Sequence, residues 1–161
     1  MITAQQIDAT TEWLNGFSEE ESEALIEKFG DAQPDLLEYV MSEEAADLGE
    51  EEAELLLFVS ATFWQVAEKH GKKNQDPIAL EDLDALQDSN WAIFDDLEQA
   101  KNQSFEDFVA PIIETYPEPE FLHYIVDVFT EDDDDEFAIE NAAKLPMFVM
   151  LKTVVDALFL D

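Results

Sequence analysis

The chain has 161 residues, no cysteine and no arginine, and sets 41 Asp and Glu against 7 Lys for a formal net charge of −34. These counts exclude disulfides, thiolate metal sites and cysteine nucleophiles. They also count against direct nucleic-acid binding and against anionic membrane surfaces, where Lys and Arg contacts to phosphate carry the affinity. Hydrophobic residues nevertheless make up 47% of the chain, with 12 Phe, 3 Trp and 3 Tyr, which is core-forming material rather than the composition of a disordered acidic chain.

In chain order, the first predicted helix covers about 4–15. Thr3 and Gln6 have the capping-box spacing at its start, and Gly16 follows its end. Ser18 and Glu21 repeat that spacing before a second helix, about 19–29, closed by Gly30. Pro34 suits the first turn of a third helix, about 34–46, before Gly49. A fourth, about 50–70, runs uninterrupted for roughly 20 residues to Gly71. Its apolar run Leu55–Val59 has a buried strand as its alternative, as does Phe148–Val155. Helix formers around the first run and the absence of hairpin turns favour helices.

A lysine-containing loop, Gly71 to Pro77, leads to a segment near 79–101 that reads as one helix or as two broken at Asp88–Ser89. Helices of about 105–115, with Ser104 as N-cap, and about 119–130, opening on Pro119, come next. The last segment, near 135–160, is expected to be interrupted before Pro146. The fold class expected is all-α: one acidic domain, 1–161, a bundle of seven to nine helices around two apolar central helices, about 50–70 and 146–160. On those two helices only narrow polar stripes break the apolar surface: Ser60 and Gln65 on one, Lys152, Thr153 and Asp156 on the other. Phe159 and Leu160 leave open a homo-oligomer formed through the C-terminal helix. Met1 to Glu12 has neither the basic nor the apolar region of a secretory signal, and no apolar run reaches the roughly 20 residues of a membrane span. A cytoplasmic location is therefore expected.

Candidate sites compete with plainer readings. Glu131, Asp132, Asp133, Asp134, Asp135 and Glu136 invite calcium. Started at Asp132, however, a calcium loop has Phe137 at position six and Ala143 at position twelve, where glycine and glutamate are needed. A solvated loop is the simpler account. Glu120 and His123 have the Glu-x-x-His spacing of di-iron bundles. The other histidine, His70, lacks a glutamate three residues before it, so a surface pair is favoured and no metal or other cofactor is expected. Lys69, His70, Lys72 and Lys73 form the one basic cluster, at a helix C-terminus where cations complement the dipole; the alternative is a contact for an acidic group. There is no nucleophile elbow and no glycine-rich phosphate loop, and with so many acids carboxylate spacing discriminates nothing.

The charge is the remaining lead. A folded surface of about 8,100 Å² averages about one net charge per 240 Å², against about one per 110 Å² on a DNA cylinder. Matching DNA therefore requires concentration on one face. The acids do group in sequence: Glu43, Glu44, Asp47, Glu50, Glu51, Glu52 and Glu54 in one cluster, Glu19, Glu20, Glu21 and Glu23 in another, and the run 131–136 in a third. The expected function is a non-catalytic interaction protein whose partner is a basic protein, as for nucleic-acid mimics or toxin-neutralising proteins. Two alternatives are charge as a solubility or salt adaptation with function elsewhere, and a carboxylate-based metal-binding bundle.

Overall fold

The computed structural model describes residues 2–42, 50–71, 76–97, 105–130 and 141–159. Eight helices and no strand occur among the described residues: α1 Ala4–Asn15, α2 Glu19–Ala32, α3 Pro34–Val40, α4 Glu50–His70, α5 Leu80–Leu97, α6 Phe105–Thr115, α7 Pro119–Thr130 and α8 Asn141–Phe159. Both capping boxes form. The Thr3 hydroxyl accepts from Gln6 N while the Gln6 side chain accepts from Thr3 N, and Ser18 and Glu21 do the same at α2. Pro34 occupies the first turn of α3, as its missing N–H allows.

Several boundaries differ from the sequence reading. Gly16 closes α1 with right-handed backbone (φ −81°), so it supplies no left-handed cap. Gly30 does not end α2. The helix runs on to Ala32 and stops where the residue before Pro34 is driven out of helical geometry; Gln33 has φ −137°. Of the two readings of the segment near 79–101 the single helix is the one found: α5 continues unbroken through Asp88 and Ser89, because Leu83, Leu86, Gln87 and Asn90 on its inner face are packed against neighbours. Pro146 lies inside α8 without interrupting it. The proline forgoes one backbone bond, and burial of everything that follows outweighs the loss. Gly49, Ser104 and Leu160 lie outside the described residues.

One buried cluster draws side chains from all eight helices. α8 is its centre: it packs along α4 on one side and α5 on the other, with α7 and α6 also against it. α1 lies on α4 and α7, and α2 and α3 cover another flank of α4. Aromatic ring contacts, two of them edge-on and one tilted, join the layers. Phe63 of α4 stacks against Phe121 and Tyr124 of α7 at 5.0 and 5.7 Å, and Phe159 of α8 meets Phe121 at 4.4 Å. Both apolar runs with a strand alternative are helical, and the two expected central helices are the central ones.

The narrow polar stripe of α8, Lys152, Thr153 and Asp156, is buried along with its apolar surface, since every residue from Met147 to Leu158 is buried within a single protomer. That stretch therefore presents no face to a second copy. Ser60 of α4 is likewise fully buried, and its hydroxyl has no partner among the described residues.

Candidate functional site

Two features stand out: a groove on the α2–α4 side and a polar cluster beneath a cleft on the α5–α8 side. The groove, about 920 Å³, is the valley between α2 and α4, closed at its ends by Leu14 of α1 and by Pro34 and Leu37 of α3. α2 contributes Glu19, Ser22, Glu23, Ile26, Glu27 and Gly30 to its wall, a stripe at the three- and four-residue spacing of one helix face. α4 contributes Glu54, Leu57, Phe58 and Ala61 on the same spacing. Leu25 and Ala61 are buried at the floor, while Ile26, Leu37, Leu57 and Phe58 are half-buried and leave apolar surface in the groove.

The rim has one sign. Glu19, Glu23, Glu27, Asp31 and Glu54 are all exposed, and among the described residues no basic one lines the groove. Four of these acids form a ladder along α2 at successive i, i+4 positions. Each like-charged pair opposes the helix by about 0.2–0.5 kcal/mol, so three such pairs cost on the order of 1 kcal/mol in the free protein. Two of the acidic clusters seen in sequence meet here, since Glu19 and Glu23 share the rim with Glu54. Glu27 and Asp31 belong to neither cluster. The four-residue periodicity from Glu19 was the signal that could have found them.

The second feature joins α5, the α6–α7 connection and α8. Lys152 and Asp156, one turn apart on α8, form an ion pair at 3.2 Å. The Lys152 ammonium also donates to Asn90 Oδ1 at 2.6 Å. Asn90 Nδ2 donates to Asp156 Oδ2 at 3.1 Å and to Thr153 Oγ1 at 2.9 Å. The Tyr116 hydroxyl donates to the other Asp156 oxygen at 2.5 Å, and Lys152 sits 5.0 Å from the Tyr116 ring centre. Asn90, Tyr116, Lys152 and Asp156 are only 2, 9, 6 and 7% exposed. Burial first, then the negative charge of Asp156 and the hydrogen bond to it, with a smaller push from Glu118, hold the Tyr116 hydroxyl well above the ordinary tyrosine range.

These groups border a cleft of about 850 Å³ walled by Ile78, Leu86, Ile93 and Pro117. Their bonding capacity is spent almost entirely on one another. Both Asp156 oxygens accept, both Asn90 amide hydrogens and its carbonyl are used, and Thr153 donates to Val149 O. A phenol held neutral beside a paired carboxylate and a paired ammonium is arranged to lock three elements together rather than to transfer a proton.

Of the other sequence candidates, Glu120 is half-buried and His123 exposed, both on α7. No group of three or more Asp, Glu or His able to hold a metal ion occurs among the described residues. Lys69 lies 3.7 Å from the Trp13 ring centre and His70 Nδ1 is 3.4 Å from Gln6 Nε2. These two members of the basic cluster therefore fasten α1 to the end of α4. Lys72 and Lys73 lie outside the described residues, as do Glu43, Glu44, Asp47 and the run Glu131, Asp132, Asp133, Asp134, Asp135 and Glu136; Glu50, Glu51 and Glu52 open α4. Among the described residues no helix is long and apolar enough to cross a membrane. Compared with family models, curated proteins and solved structures, the chain finds no match.

Proposed function

We propose that this chain is a non-catalytic acidic interaction protein that binds a basic protein partner at the α2–α4 groove. The observation that carries the reading is the pairing of an apolar floor with five exposed carboxylates and, among the described residues, no cation on the rim. Charge spread for solubility alone has no need of an apolar trough beneath it. The ladder on α2 adds support, because its self-repulsion is relieved when cationic side chains settle beside it. The large net negative charge steers a basic partner toward the surface and speeds encounter. The partner is met in the cytoplasm, in keeping with a chain that carries no cysteine.

The test compares two variants of equal charge change. Glu23→Lys with Glu27→Lys reverses the rim; Glu81→Lys with Asp88→Lys makes the same change on the exposed face of α5. A basic protein retained by the wild type from cell extract is expected to be lost by the rim variant and kept by the α5 variant. Its affinity is expected to fall steeply as salt rises. Equal loss from both variants would mean that bulk charge alone is responsible, which leaves solubility or salt adaptation as the role of the acids.

A further inference from the structure

Resting on that reading, we propose that the groove seats a single amphipathic helix of the basic partner, about three turns long, with its apolar stripe against the floor and Lys or Arg on both flanks. The walls dictate the shape. Glu19 to Gly30 spans about 17 Å along α2, the length of roughly 11 helical residues. A valley between two packed helices accepts a third by fitting its ridges into their grooves.

The secondary structure of the occupant follows from hydrogen bonding. Both walls are helices whose backbone groups are already paired, so the groove has no free edge for an extended peptide. A strand laid over Ile26, Leu57 and Phe58 would leave its own N–H and C=O groups unmatched above apolar side chains. A helix satisfies its own backbone and presents only side chains. Its charge follows from the rim: Glu19, Glu23, Glu27 and Asp31 run along one edge and Glu54 stands on the other. Cations flanking the apolar stripe therefore find carboxylates on both sides. A second copy of this chain is the wrong occupant, since it brings another −34 charges to a negative rim.

The experiment uses the full chain and a labelled, end-capped Leu/Lys peptide about 14 residues long with Leu at helical i, i+3, i+4 and i+7 spacing. A scrambled peptide of the same composition is the control. Fluorescence anisotropy at physiological ionic strength is expected to show one-to-one binding, tighter than the control by at least about tenfold, with helix gained in the circular dichroism difference spectrum. Ile26→Asp, at the half-buried wall, is expected to remove that advantage. Glu23→Gln with Glu27→Gln, confined to exposed positions, is expected to weaken the patterned peptide while leaving the fold intact.

Equal binding of patterned and scrambled peptides, or a preference that survives both variants, overturns the helix-in-groove assignment while leaving a basic partner in place. Failure of both peptides to bind at low salt removes the basic-partner reading itself. Sedimentation showing a dimer of the wild type that Ile26→Asp dissolves assigns the groove to a second copy and overturns the proposal.

Discussion

Replacing Lys152 by Met tests the buried network that ties α8 to α5 and to the α6–α7 connection. Methionine keeps most of the length and apolar stem of the lysine, so packing changes little while the ammonium is lost. Asp156, 7% exposed, then keeps hydrogen bonds from Tyr116 and Asn90 but loses its only cation among the described residues, and Asn90 Oδ1 loses its 2.6 Å donor. Breaking a buried pair on one side costs about 3–5 kcal/mol. Two neutral donors still reach the carboxylate, which places the expected loss at the lower end, about 3 kcal/mol. That is a large part of the roughly 5–15 kcal/mol that holds an ordinary domain together. Removing both charges, with Lys152→Met and Asp156→Leu, leaves no stranded ion but strips partners from Asn90 and Tyr116. The double variant is expected to be less destabilised than the sum of the single ones by about 2 kcal/mol. Urea unfolding followed by tryptophan fluorescence and circular dichroism measures all four proteins, with unchanged m-values as the check that only the native network was altered. A Lys152→Met loss below about 1 kcal/mol, or strict additivity in the cycle, would refute the account of a tightly coupled buried pair.

Two further outcomes follow from the same geometry. The Tyr116 hydroxyl is held above its ordinary range in the fold, so above about pH 10 the unfolded chain ionises this tyrosine while the folded chain keeps it neutral. Its contribution to stability is complete below that pH and declines by about 1.4 kcal/mol per pH unit above it. Urea midpoints of wild type and Tyr116→Phe at rising alkaline pH should therefore converge, and parallel pH profiles would contradict the assignment. Gln33, 1% exposed, donates to Asp76 O at 3.2 Å and accepts from Ile78 N at 2.8 Å, pinning the approach to α5 onto the α2–α3 junction. Gln33→Ala is expected to cost about 1–3 kcal/mol and to raise amide exchange at Ile78; unchanged protection there would show that the segment is held by other contacts.

Side-chain caps and first-turn prolines were legible from local chemistry, whereas Gly16 and Gly30 did not act as the left-handed helix stops their positions suggested. The Thr3–Gln6 and Ser18–Glu21 boxes, Pro34 and Pro119 at helix starts, and the stop of α4 before Gly71 depend on residues within a turn of one another. The richness of 50–70 and 146–160 in large apolar side chains marked the two central helices, because burial on most sides requires it. Tertiary structure decided the rest. Asp88–Ser89 and Pro146 look like breaks locally, yet their helices continue because contacts on the buried faces outweigh weak local preferences. Lys152, Thr153 and Asp156 are legible in sequence only as a narrow polar stripe; that Asn90 and Tyr116, dozens of residues away in the chain, satisfy them is decided by the packing. The groove is likewise absent from any single segment. Its acids and its floor lie on α2, α3 and α4, and only the packing of α2 beside α4 turns scattered carboxylates into one rim around an apolar trough. Caps and periodicity act within a few residues, whereas the partners that bury a charge or build a surface are chosen by contacts between helices far apart in sequence.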